Sequence, residues 1–335
     1  MFFHPGILAL VSGSVLVILL MLFAAVLGAK VVLRWDFQSS SAYQLSLERK
    51  TYLISTIMNY VLGFQIASAL LFVYTVDDIY RLFVGAMCAT GSLNANPVGW
   101  AALFSKITVC FVAGLWLVLN YLNQKAEDYP LVRLKYSLLI TLLPIIILDS
   151  FLQFHYFLGL DPDIITSCCG SLFSDSGAGV ASSIAGLPVL PAMIVFYGVA
   201  VLVFIAGLLC LISDKAYLRY LLSGFNAVFL FVALASVVSF ISMYIYELPT
   251  HHCPFDIIQR EYGFIGYPLY ISLFCGVFFG LLPGIFQGVK KILSLQKTVL
   301  QLERRWIIFS LGCMTVFVLI TTYRIVTSNL TYFSL

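Results

Sequence analysis

Eight apolar runs follow one another along the chain, separated by shorter polar segments. None of them alternates apolar and polar residues with the period of two that a half-buried strand requires, so each is predicted to be a helix. About 20 apolar residues span the hydrocarbon core of a bilayer, and each run reaches that length. The predicted spans are residues 7–28, 52–74, 101–122, 137–159, 189–213, 221–246, 267–289 and 307–327.

The composition indicates that lipid is the solvent of this chain. Hydrophobic residues make up 61% of it and charged residues only 10%, whereas soluble domains carry about 25% charged residues. A backbone inside lipid must satisfy its own hydrogen bonds, which favours helices. The sequence therefore predicts an all-α integral membrane protein, a polytopic bundle whose single transmembrane domain covers residues 1–335. The net charge of +3, without a basic face, excludes nucleic acid as a partner.

The basic residues predict the orientation of the helices. Fourteen of the 18 lysines and arginines fall in the connections after helices 1, 3, 5 and 7. Because loops rich in Lys and Arg stay in the cytoplasm, both termini are predicted to lie outside, in a bacterial inner membrane. The fourteen are Lys30, Arg34, Arg49, Lys50, Lys125, Arg133, Lys135, Lys215, Arg219, Lys290, Lys291, Lys297, Arg304 and Arg305, and the opposite side has Arg81, Lys106, Arg260 and Arg324.

The last cytoplasmic connection has a helical pattern of its own. Ile292, Leu295, Val299 and Leu302 recur at helical spacing opposite charged groups. This pattern predicts a cytoplasmic amphipathic helix over residues 290–306, which either lies on the inner leaflet or docks a partner subunit.

Three outer loops, residues 75–100, 160–188 and 247–266, roof the outward face of the predicted bundle. The first two are long, rich in Gly and Ser, and still partly apolar. Irregular backbone near membrane depth is tolerated only where protein buries it or water fills a cavity. We therefore expect these loops to be partly re-entrant and to cover an outward-facing pocket.

The chemistry-bearing residues are concentrated on that outer side. No cysteine or histidine falls in a cytoplasmic loop, and the stretch Glu247–Tyr267 holds three of them in a row. Asp256 stands where a C-P-x-C motif would have its second cysteine. The outer residues are His4, His155, His251, His252, Cys88, Cys168, Cys169 and Cys253.

Thiol–disulfide exchange at the outer face is the first hypothesis that this distribution supports. Cys253 is the attacking or resolving thiol, and His251 or His252, when protonated, stabilises its thiolate. Cys88, Cys168 and Cys169 supply the exchangeable partners. Outer loops lie in an oxidising compartment, so the same four cysteines could instead form two stable disulfides that staple the loops. The sequence leaves open whether the protein is an enzyme.

Two alternatives come from other functional classes. The protein could be a non-enzymatic membrane anchor of a larger redox or transport complex, with membrane or periplasmic subunits as partners. It could also handle or transport metal ions, with His251, His252 and Cys253 binding zinc or copper. For transport, Asp149 is a charged residue inside helix 4, six residues before His155. Such charges are costly and usually functional, and a proton path could include Gln65 or Asn226.

Overall fold

The structure, a computed structural model, describes residues 3–37, 39, 41–161, 163–166 and 180–330. In this part of the chain the fold is 83% helical and contains no strand. Eight helical segments are long and apolar enough to cross a membrane. The predicted all-α polytopic bundle is therefore confirmed.

Each predicted span corresponds to one of these eight segments. In the described residues the helices are α1 (Pro5–Arg34), α2 (Ala42–Asp78), α3 (Ala89–Asn94), α4 (Gly99–Lys125), α5 (Val132–Leu158), α6 (Val180–Ala185), α7 (Val189–Ile212), α8 (Ala216–Ser236), α9 (Ser242–Tyr246), α10 (Gly266–Ile285) and α11 (Leu293–Thr327). A π-helical turn at Val237–Ile241 joins α8 to α9 into one span. Polar residues extend several helices beyond the apolar runs. Helix α2, for example, begins at Ala42, where the Ser41 side chain accepts the backbone N–H of Gln44.

The chain divides into two compact units. The first comprises Met1–Val84, Ser92–Ile165 and Ile292–Thr298. Within it, α1 packs against α2 and α5, and α4 packs against the same two helices, so that four helices surround one core. Trp116, Tyr136 and Ile146 are completely buried in that core.

The second unit comprises Gly85–Gly91, Thr166–Lys291 and Val299–Leu335. Its helix α8 packs against α7 and α10, and Ser310 of α11 donates a hydrogen bond to the backbone oxygen of Gly276 in α10. The rings of Phe196, Phe229 and Phe317 contact one another in its core.

Large apolar side chains cover the outer faces of both units. Leu19 is 60% exposed, Phe23 67% and Phe231 73%. Such surfaces are unfavourable in water and favourable against lipid tails. The helices thus suit a lipid bilayer, as predicted.

Two basic residues that the sequence analysis counted with the connections are buried inside helices. Lys135 belongs to α5 and Arg219 to α8, and each is at most 2% exposed. Their assignment to loops is corrected, because the helices continue past the apolar runs. Which side of the membrane each loop faces stays a prediction.

The segment predicted as an amphipathic surface helix belongs to two elements. Phe286–Lys291 form a 3-10 turn, and α11 then continues from Leu293 to Thr327 without a break. Leu295 and Val299 on its apolar side are completely buried in the protein. Residues 290–306 are thus largely helical, and their position at the membrane surface stays a prediction.

The first of the predicted outer loops is buried over part of its length. Residues 88–96 are all buried except Asn94, which is half-buried. Tyr156 in α5 donates a hydrogen bond of 2.9 Å to the backbone oxygen of Ser92, which satisfies one of the buried backbone groups. This burial supports the expected re-entrant character of the loop. In the second outer loop, residue 162 and residues 167–179 lie outside the described residues.

Candidate functional site

Two cysteines that are distant in the sequence meet in the second unit. Cys88 immediately precedes α3, and Cys253 lies in the connection between α9 and α10. Their Sγ atoms are 3.4 Å apart, and both side chains are completely buried. Asp256 joins them, since one ligand atom from each of the three residues lies within 4.8 Å of the other two. We call these three residues the Cys–Cys–Asp cluster.

Polar groups surround the sulfur of Cys253. The thiol donates to Oδ1 of Asp256 at 3.4 Å, and the sulfur accepts the backbone N–H of Phe255 at 3.4 Å. The hydroxyl oxygen of Thr90 lies 3.5 Å from the same sulfur. A hydrogen bond donated to sulfur favours a thiolate over a thiol, and the backbone N–H of Phe255 supplies such a bond to Cys253.

A histidine connects this buried cluster to the surface. Oδ2 of Asp256 lies 2.5 Å from Nε2 of His251. The side chain of His251 is 26% exposed and that of Asp256 only 10%. A continuous hydrogen-bonded path therefore leads from the thiol of Cys253 through the carboxyl group to an accessible imidazole.

The protonation of Asp256 is shifted by its surroundings. Burial raises the pKa of this carboxyl and the neighbouring Cys88 raises it further, while the hydrogen bond with His251 lowers it. The net shift is upward. A carboxyl with a raised pKa is better matched to accept a proton from a thiol near neutral pH.

The connection between α9 and α10 is held in place by side chains on either side of the cluster. Tyr246, the last residue of α9, donates its hydroxyl to the backbone oxygen of Cys253 at 2.5 Å. The side-chain amide of Gln259 donates to the backbone oxygen of Met87 at 2.9 Å. The first bond holds Cys253 to the end of α9, and the second ties the connection to the residue before Cys88.

His252 lies apart from the Cys–Cys–Asp cluster. Its Nδ1 atom is 2.9 Å from the backbone oxygen of Val238 in the π-helical turn. The same side chain lines a separate cavity of about 430 Å³ in the second unit, together with Ser239. Of the two histidines considered as thiolate-tuning groups or metal ligands, the structure brings His251 to the cluster and places His252 beside this cavity. Cys168 and Cys169 lie outside the described residues.

Asp149, the predicted intramembrane charge, forms a separate polar group in the first unit. Lys106 lies 2.6 Å from its Oδ2 atom, and Gln65 donates to the same oxygen at 3.0 Å. Ser105 donates to Oδ1 at 2.7 Å. Gln65, which the sequence analysis considered for a proton path, thus contacts Asp149, and the carboxylate has an ion-pair partner within the helices.

The other residues of the predicted proton path make different contacts. His155 is exposed on α5, where its ring packs at the edge of Phe151. The amide of Asn226 donates to the backbone oxygen of Leu222, one turn earlier in α8. Neither residue has a hydrogen bond to Asp149 in the contacts that the structure describes.

Sequence reasoning missed two residues that the structure makes central. Asp256 was noted only as the position where a second cysteine is missing, although its spacing of three from Cys253 allows both side chains to meet around a turn. Lys106 was counted by its charge and not by its place within an apolar run. A lysine and an aspartate in adjacent predicted spans, as with Asp149, are a detectable signal of pairing.

Comparisons of the chain with models of protein families, with curated proteins and with solved structures gave no match. The fold and the site therefore define its class by themselves. The protein is a multi-span helical membrane protein that contains a buried Cys–Cys–Asp cluster.

Proposed function

We propose that Cys88 and Cys253 form a redox-active dithiol that undergoes thiol–disulfide exchange. The observation that carries the proposal is the 3.4 Å separation of their sulfur atoms. A disulfide bond is about 2.05 Å long, so the two sulfurs need to approach by little more than 1 Å. A small displacement of the connection between α9 and α10 provides this approach.

The exchange proceeds in two balanced steps with a disulfide as the co-reactant. The thiolate of Cys253 attacks one sulfur of the substrate disulfide, and the other substrate sulfur leaves as a thiolate. The thiolate of Cys88 then attacks Cys253 in the mixed disulfide and displaces the second substrate thiolate. The two cysteines lose two electrons and two protons, and the substrate disulfide gains both to become two thiols.

Asp256 and His251 handle the protons in this proposal. Asp256 accepts the proton of Cys253 through its 3.4 Å hydrogen bond, and its raised pKa makes the carboxylate a stronger base for this transfer. His251 passes the proton to or from the surface. The predicted outer position supplies an oxidising compartment, and Cys168 and Cys169 are proposed to connect the buried pair with external disulfides.

Differential alkylation and mass spectrometry test the proposal on the purified full-length protein. In oxidising glutathione buffer we expect a bridge between Cys88 and Cys253 that opens on mild reduction. The reduced protein should reduce a small aromatic disulfide, and C88S and C253S should abolish this activity. C313S, in α11, is the matched control and should retain it. A bridge that never forms, or full activity in C253S, would contradict the proposal.

A metal centre is the second candidate, because the three ligand atoms of the Cys–Cys–Asp cluster lie within 4.8 Å of one another. Thiolates and a carboxylate suit Zn²⁺, and sulfurs bound tetrahedrally at 2.3 Å are about 3.8 Å apart. The sulfurs of Cys88 and Cys253 would then have to separate slightly. In this case the purified protein contains one equivalent of zinc, which D256A and C253S lose, and the thiols resist alkylation until a chelator is added.

A further inference from the structure

A second polar cavity lies in the first unit, at the ends of α2, α4 and α5 that are predicted to be cytoplasmic. It has a volume of about 320 Å³. Its wall includes Ser55 of α2, Asn123 of α4 and Lys135 of α5. None of these residues belongs to the proposed redox site, so the cavity is an independent feature.

Lys135 is a buried basic residue. It is 1% exposed, and its Nζ atom donates to Ser55 at 2.8 Å and to the side chain of Asn120 at 3.0 Å. Nζ also lies 5.1 Å from the centre of the Tyr136 ring. Among the described residues, no carboxylate oxygen lies within the 4.0 Å of an ion pair. An ammonium group has three N–H donors, so one of them makes no hydrogen bond here. A positive charge at this position has no anionic counterion, which is strongly unfavourable.

A hydroxyl group in the same cavity also lacks a partner. The Oγ1 atom of Thr51 is buried and makes no hydrogen bond in the structure, and Thr51 lines the cavity. A buried polar atom without a partner is costly unless water or a ligand satisfies it. Thr51 and Lys135 thus offer a hydroxyl and an ammonium group to one occupant.

The mouth of the cavity has the composition of a membrane interface. The exposed Tyr52, Tyr129 and Arg49 line it on its open side, and the buried Trp35 lines it further in. Aromatic side chains with a polar edge concentrate at the level of lipid headgroups. Glu48 also lines the cavity, but its carboxylate accepts a hydrogen bond from the Gln44 amide at 3.3 Å. Two basic residues, Lys135 and Arg49, and one acidic residue, Glu48, therefore line the cavity.

We propose that this cavity binds a phosphate group through Lys135, Thr51 and Arg49. Charge-assisted hydrogen bonds from Lys and Arg are the usual means of holding phosphate in proteins. Basic pockets between membrane helices on the cytoplasmic side recognise lipid headgroups in this way. The phosphate comes either from an anionic lipid or from free phosphate, which share this chemistry.

Thermal unfolding of the full-length protein in neutral detergent tests the proposal. The probes are inorganic phosphate, at constant ionic strength set with chloride, and mixed micelles containing dioleoylphosphatidylglycerol, with dioleoylphosphatidylcholine as the neutral comparison. We expect a saturable rise in Tm with at least one probe. A rise with phosphatidylglycerol alone identifies a headgroup, and a rise with inorganic phosphate identifies a free anion.

Charge variants give the decisive comparison. K135M should raise the half-saturating concentration about tenfold or more, as expected for a lost charge-assisted hydrogen bond. R49Q should raise it several-fold, and E48Q should lower it. K125M is the matched control, because Lys125 is exposed at the end of α4 over the Tyr121 ring and does not line the cavity.

The opposite effects of R49Q and E48Q keep the test valid if K135M does not fold, since both positions lie at the mouth. Absence of a saturable shift with both probes would overturn the proposal. So would an equal loss of affinity in K125M and in the cavity variants, because that result would show a general effect of surface charge.

Discussion

Asp256 lies between a thiol and an imidazole, with one carboxylate oxygen 2.5 Å from Nε2 of His251. Its other oxygen accepts the thiol of Cys253. In this position the carboxyl can relay a proton without forming a bond to the substrate. In the proposed exchange, Asp256 is therefore a positioning and proton-relay residue, whereas the two cysteines are the reacting groups.

Replacing Asp256 by Asn should slow thiol–disulfide exchange on the order of 10²-fold, because positioned proton transfer contributes at least that much. The asparagine keeps the shape of the side chain and cannot accept the proton. Stopped-flow measurement of the reaction with a small disulfide records the effect. It is made across about pH 5–9, a range that includes the ordinary thiol pKa of about 8.5. E261Q, at an exposed position of the same connection, is the control. An unchanged rate and pH profile in D256N would rule out the relay.

The raised pKa of Asp256 also predicts how stability depends on pH. Above the ordinary value of 3.8, the folded protein retains a proton at Asp256 that the unfolded chain has released. Stability from this group therefore falls as pH rises from that value to the raised pKa, by about 1.4 kcal/mol for each unit of the shift. In thermal unfolding between pH 4 and 8, the Tm of wild type relative to D256N should decrease as pH rises. A difference that does not vary with pH would contradict the shift.

The buried pair of Lys106 and Asp149 predicts a strong asymmetry between single and double variants. K106M or D149N should each destabilise the protein by about 3–5 kcal/mol, since each leaves a buried charged or polar partner unsatisfied. The double variant K106M/D149L replaces the pair by apolar groups and should recover much of that loss. Thermal unfolding in detergent measures all three. Additive losses in the double variant would show that the two side chains do not act as a pair.

Glu303 holds two cations together in the second unit. It accepts a 2.7 Å hydrogen bond from Nε of Arg219 and also pairs with Lys290. E303Q should destabilise the protein by about 3–5 kcal/mol, because it removes the buried counterion of Arg219.

D214N is the matched control, since Asp214 also pairs with Arg219 but its side chain is 91% exposed. We expect D214N to change stability by about 0.5 kcal/mol or less. Equal effects of the two variants in denaturant titration would be contrary to this interpretation.

Helix α10 approaches α8 closely at Gly280. A Cβ atom at this position would lie 2.3–2.4 Å from the amide atoms of Asn226. G280A should therefore destabilise the protein by about 1–3 kcal/mol. G312A, in α11, meets nothing within 4 Å and should be neutral or slightly stabilising. The double variant G280A/N226A removes the amide group that the new methyl group would meet, so it should restore stability. If the Tm of G280A equals that of wild type, Asn226 does not lie this close to position 280.

The fold could be predicted because a backbone that crosses lipid must satisfy its own hydrogen bonds, and a helix does so within one segment. Each of the eight long apolar runs therefore corresponds to a helix. The helix ends could not be predicted in this way. Residues 42–51 precede the predicted span and are helical because tertiary burial of residues such as Leu47 stabilises a polar helical segment.

The site could be predicted only as a set of alternatives. The distribution of cysteines indicated that Cys253 has its partner in another outer loop, and the structure places Cys88 beside it across 165 residues. Sequence spacing holds no information on such a long-range contact. For the same reason, the different environments of the adjacent His251 and His252 could not be separated before the backbone was known.

The ion pair between Lys106 and Asp149 also constrains how the chain enters the membrane. A lone charged residue at the centre of an inserting helix costs about 2.5–3.5 kcal/mol, and each of α4 and α5 carries one member of the pair. The connection between them, residues 126–131, is short. Helices α4 and α5 should therefore leave the translocon as a hairpin in which each segment neutralises the other before either is exposed to lipid.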